Sequence, residues 1–126
     1  MRLLLVEDDD ALRMSVRKLL EGSDIPITEA ATGRASLEYL ASQPFDCMIL
    51  DLSLPDISGF ELLNRLDSDE SLPKCPVIVY TGKELSPEEN QELLKYADSV
   101  IVKGVKSPER LLDETALFLH RVVADM

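Results

Sequence analysis

Four apolar stretches of this chain run directly into residues that can do chemistry. Leu3–Val6 is followed by Glu7, Asp8, Asp9 and Asp10, and Cys47–Leu50 by Asp51. Val77–Tyr80 runs into Thr81 and Gly82, and Val100–Val102 runs into Lys103. If the first and third stretches lie side by side, Glu7, Asp8 and Asp51 converge. Crowded carboxylates repel, and the arrangement costs stability unless a cation or a proton neutralises them. Oxygen ligands without a neighbouring histidine or thiolate select Mg²⁺, Mn²⁺ or Ca²⁺ over zinc. An open site of one or two carboxylates plus waters is the form in which Mg²⁺ handles phosphoryl groups. The Thr81 hydroxyl and the Lys103 ammonium add donors of the kind that stabilise phosphoryl oxygens during transfer. A carboxylate can itself be the nucleophile, giving an aspartyl phosphate. Asp9 and Asp10 have a simpler explanation, because acids just ahead of a helix cap it and favour its dipole. Capping does not require acids on two separate strands, so it does not explain Glu7, Asp8 and Asp51.

Such convergence needs a particular scaffold. The apolar stretches, with Ile25–Ala30 as a fifth, are mostly continuous rather than alternating, as strands covered on both faces are. Helical spacing joins Leu12, Val16, Leu19 and Leu20, then Leu37, Leu40 and Ala41, then Phe60, Leu63 and Leu66. It also joins Leu93, Leu94 and Ala97, and finally Leu111, Leu112, Thr115, Leu119 and Val122. Ser86-Pro87-Glu88-Glu89 predicts an N-cap serine, a first-turn proline and a capping-box glutamate. Ser107-Pro108 repeats part of that signal, and Gly33 and Gly59 mark turns ahead of the second and third helices. Five strands alternating with five helices predict an α/β doubly wound parallel sheet. The order 2-1-3-4-5, the flavodoxin-like one, sets strands 1 and 3 together and places ligands beyond their carboxyl ends.

The chain has 126 residues, which is one ordinary domain spanning 1–126, with no internal repeat or linker. Thirteen basic against 24 acidic residues give a net charge of −11, which argues against direct nucleic-acid contact and against anionic membranes. Apolar runs are far too short to span a bilayer, and no signal segment opens the chain, so a cytoplasmic location is expected. Cys47 and Cys75 lack motif spacing and are expected to be free thiols, one of them in the core. His120, late in the last helix beside Arg121, is read as complementing the helix dipole. The acidic run at 67–70 is read as a solvated loop.

The ordered set closely resembles the receiver domain of two-component response regulators, from Leu3 to about Val123. Glu7 and Asp8 stand in LLLVEDD, Asp51 in MILDLSLPDISGFELL, Thr81 in VIVYTG and Lys103 in VIVKG. Asp8 to Asp51, Asp51 to Thr81 and Thr81 to Lys103 are 43, 30 and 22 positions apart, and Pro55 and Gly59 fall where the family has them. The resemblance implies a phosphoacceptor signalling domain that catalyses its own phosphorylation and dephosphorylation, not a turnover enzyme. It implies that Asp51 accepts a phosphoryl group from a phosphohistidine on a histidine kinase or histidine phosphotransfer domain. Glu7, Asp8, Asp51 and the backbone carbonyl of Ser53 would hold Mg²⁺, or Mn²⁺ in its place. Lys103 would pair with Asp51 and then with the phosphoryl oxygens. Thr81 would report the phosphate to the surface of the fourth helix, fifth strand and fifth helix, through which a homodimer could also form. That is a two-state switch biased by local charge.

The chain departs from the family at two places. Val100 stands where many receivers carry an aromatic that turns inward, and it has no ring to bury. Gly104 follows Lys103 where proline in a cis peptide is common, so a trans bond is expected. The tail VIVKGVKSPERLLDETALFLHRV is similar to receivers fused within hybrid histidine kinases, an alternative setting for this module. A second alternative is a scaffold that is not phosphorylated, against which Asp51, Thr81 and Lys103 all argue. Phosphatases of the haloacid-dehalogenase type also use an aspartyl nucleophile, but they need a longer chain and a further acidic motif. Ser53 and Lys83, two residues after the acceptor and after the threonine, are expected to tune phosphate lifetime.

Overall fold

The computed structural model describes residues 2–104 and 106–124, with the side chains at 23 and 119–124 left aside. Five strands run at Leu3–Val6 (β1), Ile27–Ala30 (β2), Cys47–Leu50 (β3), Val77–Thr81 (β4) and Ser99–Val102 (β5). Five α-helices lie at Asp10–Leu20 (α1), Gly33–Ser42 (α2), Gly59–Ser68 (α3), Pro87–Leu94 (α4) and Ser107–Ala124 (α5). A single 3₁₀ turn at Glu21–Ser23 follows α1. All strand pairs are parallel and the sheet order is β2-β1-β3-β4-β5, as the sequence predicts.

Alternation along the strands divides the core in two. Leu4, Val6, Met48, Leu50, Val77 and Val79 pack with Leu40, Leu62, Leu63 and Leu93, beneath α2, α3 and α4. Leu3, Leu5, Cys47, Ile49, Ile78 and Ile101 pack with Val16, Leu20, Leu111 and Phe118, beneath α1 and α5. Because both faces are covered, β1 and β3 are buried at every position.

Several expectations shift in detail. β2 starts at Ile27 rather than Ile25, because pairing begins at Leu3 with Ile27 and Pro26 has no N–H to give the ladder. Where two leucines adjoin on a helix, about 100° apart, one is buried and the other is not. Thus Leu93 and Leu111 are inside, whereas Leu94 and Leu112 are exposed. Leu12 also lies outside, and Phe118, absent from the predicted stripe, takes a core position. Gly33 and Gly59 are the first helical residues, and the caps are Thr32 and Ser58, accepting from the Ala35 and Glu61 N–H groups. Ser86 and Glu89 form the predicted capping box. Ser107 is instead the first residue of α5, with its hydroxyl bonded to Gly104 N–H and C=O. Cys47 is buried, Cys75 is half-buried, and both are free thiols. The His120 side chain lies outside the described residues. Among the described residues no helix is long and apolar enough to cross a membrane.

Candidate functional site

Register brings the acids together. Val6 pairs with Leu50 at the carboxyl edge of β1 and β3, so Glu7 and Asp51 emerge side by side. Asp51 N–H donates to Val6 C=O (2.9 Å), and Glu7 N–H donates to Ala30 C=O (3.0 Å). These bonds fix both residues where the ladder ends. Glu7 and Asp51 are buried, Asp8 is exposed, and one carboxylate oxygen from each lies within 4.8 Å of the others. Buried acids just beyond two strands, with an exposed third, form an all-oxygen set open on one side, which suits a hard divalent cation.

The two predicted donors stand along the same edge. Thr81 ends β4 and is fully buried. Its Oγ1 accepts the Lys83 N–H (3.1 Å), and its carbonyl accepts the Lys103 N–H (2.8 Å). Lys103 reaches across the sheet to Glu7, with Nζ 3.1 Å from Oε1. Its ion pair in this structure is therefore with Glu7, where the resemblance implies Asp51. Ser53 is exposed in the loop after β3.

Burial, chiefly, pushes the Glu7 carboxyl up to about 7, with the hydrogen bond to Asp51 and that residue's charge adding to the shift and Lys103 opposing it. An acid whose folded value is raised contributes most when protonated, below its ordinary value of 4.5, and that contribution is lost as pH rises through about 7. Without divalent cations, the fold should lose on the order of 2 kcal/mol between pH 5 and pH 8 from this group. Urea unfolding across that range checks it, with Glu7→Gln flattening the slope.

The chain matches the response regulator receiver domain family over residues 3–116. It belongs to that family. The transcriptional regulatory protein AfsQ1 of Streptomyces coelicolor is 35% identical over 111 residues, covering 88% of the receiver and 47% of that protein. Response regulator MprA of Mycolicibacterium vanbaalenii is 31% identical over 124 residues, covering 98% of the receiver and 52% of that protein. The receiver thus spans about half the length of these curated relatives. A CheY-like response regulator receiver domain protein from Methanospirillum hungatei superposes with a TM-score of 0.84 at 30% identity, covering 99% of the receiver and 98% of that chain. The receiver is a signalling domain of the two-component type. These relatives do not favour the hybrid-kinase or unphosphorylated-scaffold alternatives.

Several residues that shape the receiver's site carry little local signal in the sequence. Arg13 Nη1 donates to the carbonyls of Glu7 (2.7 Å) and Asp8 (3.2 Å), and its Nη2 pairs with Asp10. The guanidinium therefore braces the loop that presents two of the acids. Tyr80 stands under Lys103, with Nζ 5.3 Å from the ring centroid, and its hydroxyl bonds Ser107 Oγ (3.1 Å). Asp56 accepts N–H bonds from Gly33 (2.9 Å) and Arg34 (2.8 Å) at the start of α2, and from Ile57 (2.9 Å). Those bonds hold its carboxyl below the usual range, and they tie the loop after Asp51 to α2. The Asx pattern in Leu54-Pro55-Asp56 was the available signal, but its partner lies 23 positions away. No cis peptide occurs among the described residues, as expected at Gly104.

Proposed function

We propose that Asp51 is the phosphoacceptor of a cytoplasmic phosphorelay step, within a single receiver domain spanning 1–126. The observation that carries this reading is the meeting of Glu7, Asp8 and Asp51 at one sheet edge with the Lys103 ammonium beside them. A crowded acid cluster with two buried members is costly unless a cation or a proton neutralises it, and Mg²⁺ or Mn²⁺ held beside a carboxylate nucleophile would do so. Glu7, Asp8 and Asp51 would hold the ion, with the Ser53 carbonyl completing the set. When bound, the ion neutralises charge on the phosphoryl oxygens and on the acids.

The transfer step is a displacement at phosphorus. An Asp51 carboxylate oxygen attacks, the phosphorus–nitrogen bond of the partner's phosphohistidine breaks, and the imidazole leaves with the bonding pair and takes up a proton. Lys103 then exchanges Glu7 for phosphoryl oxygens, and Thr81 donates its hydroxyl to another. Hydrolysis of the product returns Asp51, so the domain removes as well as accepts the group.

A histidine kinase or phosphotransfer partner has a place to dock. A recess of about 560 Å³ opens beside Lys103 and is lined by Leu12, Leu19, Tyr80, Gly104 and Pro108. The output face lies on α4, β5 and α5, where Leu94 (48%), Val102 (47%) and Leu117 (50%) are exposed, and a homodimer would form through it. The net charge of −11 gives this chain's own surface no field for nucleic acid.

The direct test is incubation with Mg²⁺ and a small acyl phosphate, followed by intact mass. The expected product carries one phosphoryl group that is stable to acid and lost in base. No uptake, or uptake onto a residue other than Asp51 by peptide mapping, would overturn the reading.

A further inference from the structure

Lys83 sits two residues beyond Thr81, and its backbone N–H donates to the Thr81 hydroxyl oxygen (3.1 Å). Its main chain is thereby tied to the site, while its side chain is held elsewhere. Nζ lies 2.9 Å from Glu89 Oε2 and 5.2 Å from the centroid of the Phe60 ring. Glu89 is not a loose surface acid. Its Oε1 accepts the Ser86 N–H (3.1 Å), and Ser86 Oγ accepts the Glu89 N–H (3.1 Å), closing the capping box of α4. The carboxylate facing Lys83 is therefore fixed by the start of a helix.

We propose that Glu89 is a positioning residue that withholds Lys83 from the phosphoryl group on Asp51 and so sets how fast that group is lost. The inference rests on the phosphoacceptor reading above. In hydrolysis, a water oxygen attacks phosphorus and the bond from Asp51 to phosphorus breaks. The carboxylate leaves with the bonding pair, and the water's proton ends on the inorganic phosphate released. An ammonium drawn onto the phosphoryl oxygens, with its alkyl stem beside them, hinders that water. An ammonium parked on Glu89 and Phe60 does not. The Glu89 station is a weak one. Lys83 and Glu89 have side chains 45% and 36% exposed, and an ion pair so exposed favours its bound form by about five-fold at most.

Glu89→Gln is the discriminating change, because the amide oxygen can still accept the Ser86 N–H while the charge that holds Lys83 is gone. Wild type, Glu89→Gln, Lys83→Ala and the double variant are charged with acyl phosphate and Mg²⁺ and freed of donor. Loss of the phosphoryl group is then followed by intact mass. Glu89→Gln is expected to slow that loss by about three- to five-fold, the rate equivalent of an exposed ion pair. The double variant should decay at the rate of Lys83→Ala alone. An unchanged lifetime in Glu89→Gln overturns the proposal. So does an equal slowing in the Lys83→Ala background, since a loosened capping box would act without the lysine. If none of the four proteins takes up a phosphoryl group, the phosphoacceptor reading fails and this inference fails with it.

Discussion

Asp51→Asn is expected to abolish phosphoryl uptake and, in the same protein, to stabilise the cation-free fold at alkaline pH. The first effect is chemical, since the amide offers no carboxylate nucleophile and cannot form the acyl phosphate. The second is electrostatic. At pH 8 the Glu7 carboxyl, pushed up to about 7, is ionised and faces the Asp51 charge in a buried setting. Removing that charge and supplying an amide donor should raise unfolding free energy by on the order of 1 kcal/mol. At pH 5, where Glu7 is protonated, the gain should vanish. Mg²⁺ supplies the complementary control. At a hundred times its dissociation constant a ligand of the native state adds about 2.7 kcal/mol, an increment the wild type should show and Asp51→Asn should largely lose. Urea unfolding at the two pH values, with and without Mg²⁺, measures all of this together with intact mass. A variant that lost uptake but was destabilised at pH 8, with its Mg²⁺ response intact, would show that Asp51 supports the fold and not a cation-bound nucleophile.

Much of this geometry is legible in the chain because it follows from short-range rules. β1 and β3 are short continuous apolar runs, as strands buried on both faces are, so their limits at Leu3–Val6 and Cys47–Leu50 read directly. The acids follow those runs without a gap, so placing the strands side by side places Glu7 and Asp51. The Ser86–Glu89 capping box is likewise local, contained within four residues. Partners set by tertiary packing are not legible in this way. Nothing near Arg13 announces that its guanidinium closes on the Glu7 and Asp8 carbonyls. Nothing near Asp56 announces that it accepts from the start of α2. Lys103 meets Glu7 across 96 positions, and only the sheet order makes that meeting foreseeable. Glu89 was identifiable as a cap, but its hold on Lys83 depends on how the loop after β4 folds back on α4.

Gly59 shows how tightly that sheet edge is tied to the helix that follows it. A Cβ built at this position would lie 2.6 Å from Leu52 Cδ2 and 2.7 Å from Leu52 Cα. The side-chain carbon can swing aside, but the backbone carbon cannot, and Gly59 N–H is also bonded to Leu52 C=O (3.0 Å). Gly59→Ala must therefore push the start of α3 away from the residue next to Asp51. Overpacking of this kind costs about 1–3 kcal/mol, and contact with backbone places this case toward the upper end. The gain in helix propensity from alanine, about 1 kcal/mol within a helix, is smaller at a first helical position and offsets only part of it. Gly104→Ala is the matched control, since nothing lies within 4 Å of a Cβ there and no described glycine has positive φ. It should change stability by no more than about 0.5 kcal/mol. Because Leu52 adjoins the acceptor, Gly59→Ala should also slow phosphoryl uptake in the fraction that remains folded, measured at a temperature below both unfolding transitions. Slower uptake with normal stability would mean that the loop moved and α3 did not. Lower stability with normal uptake would mean that α3 yields without disturbing Asp51, and the rigid link between helix and nucleophile would have to be given up.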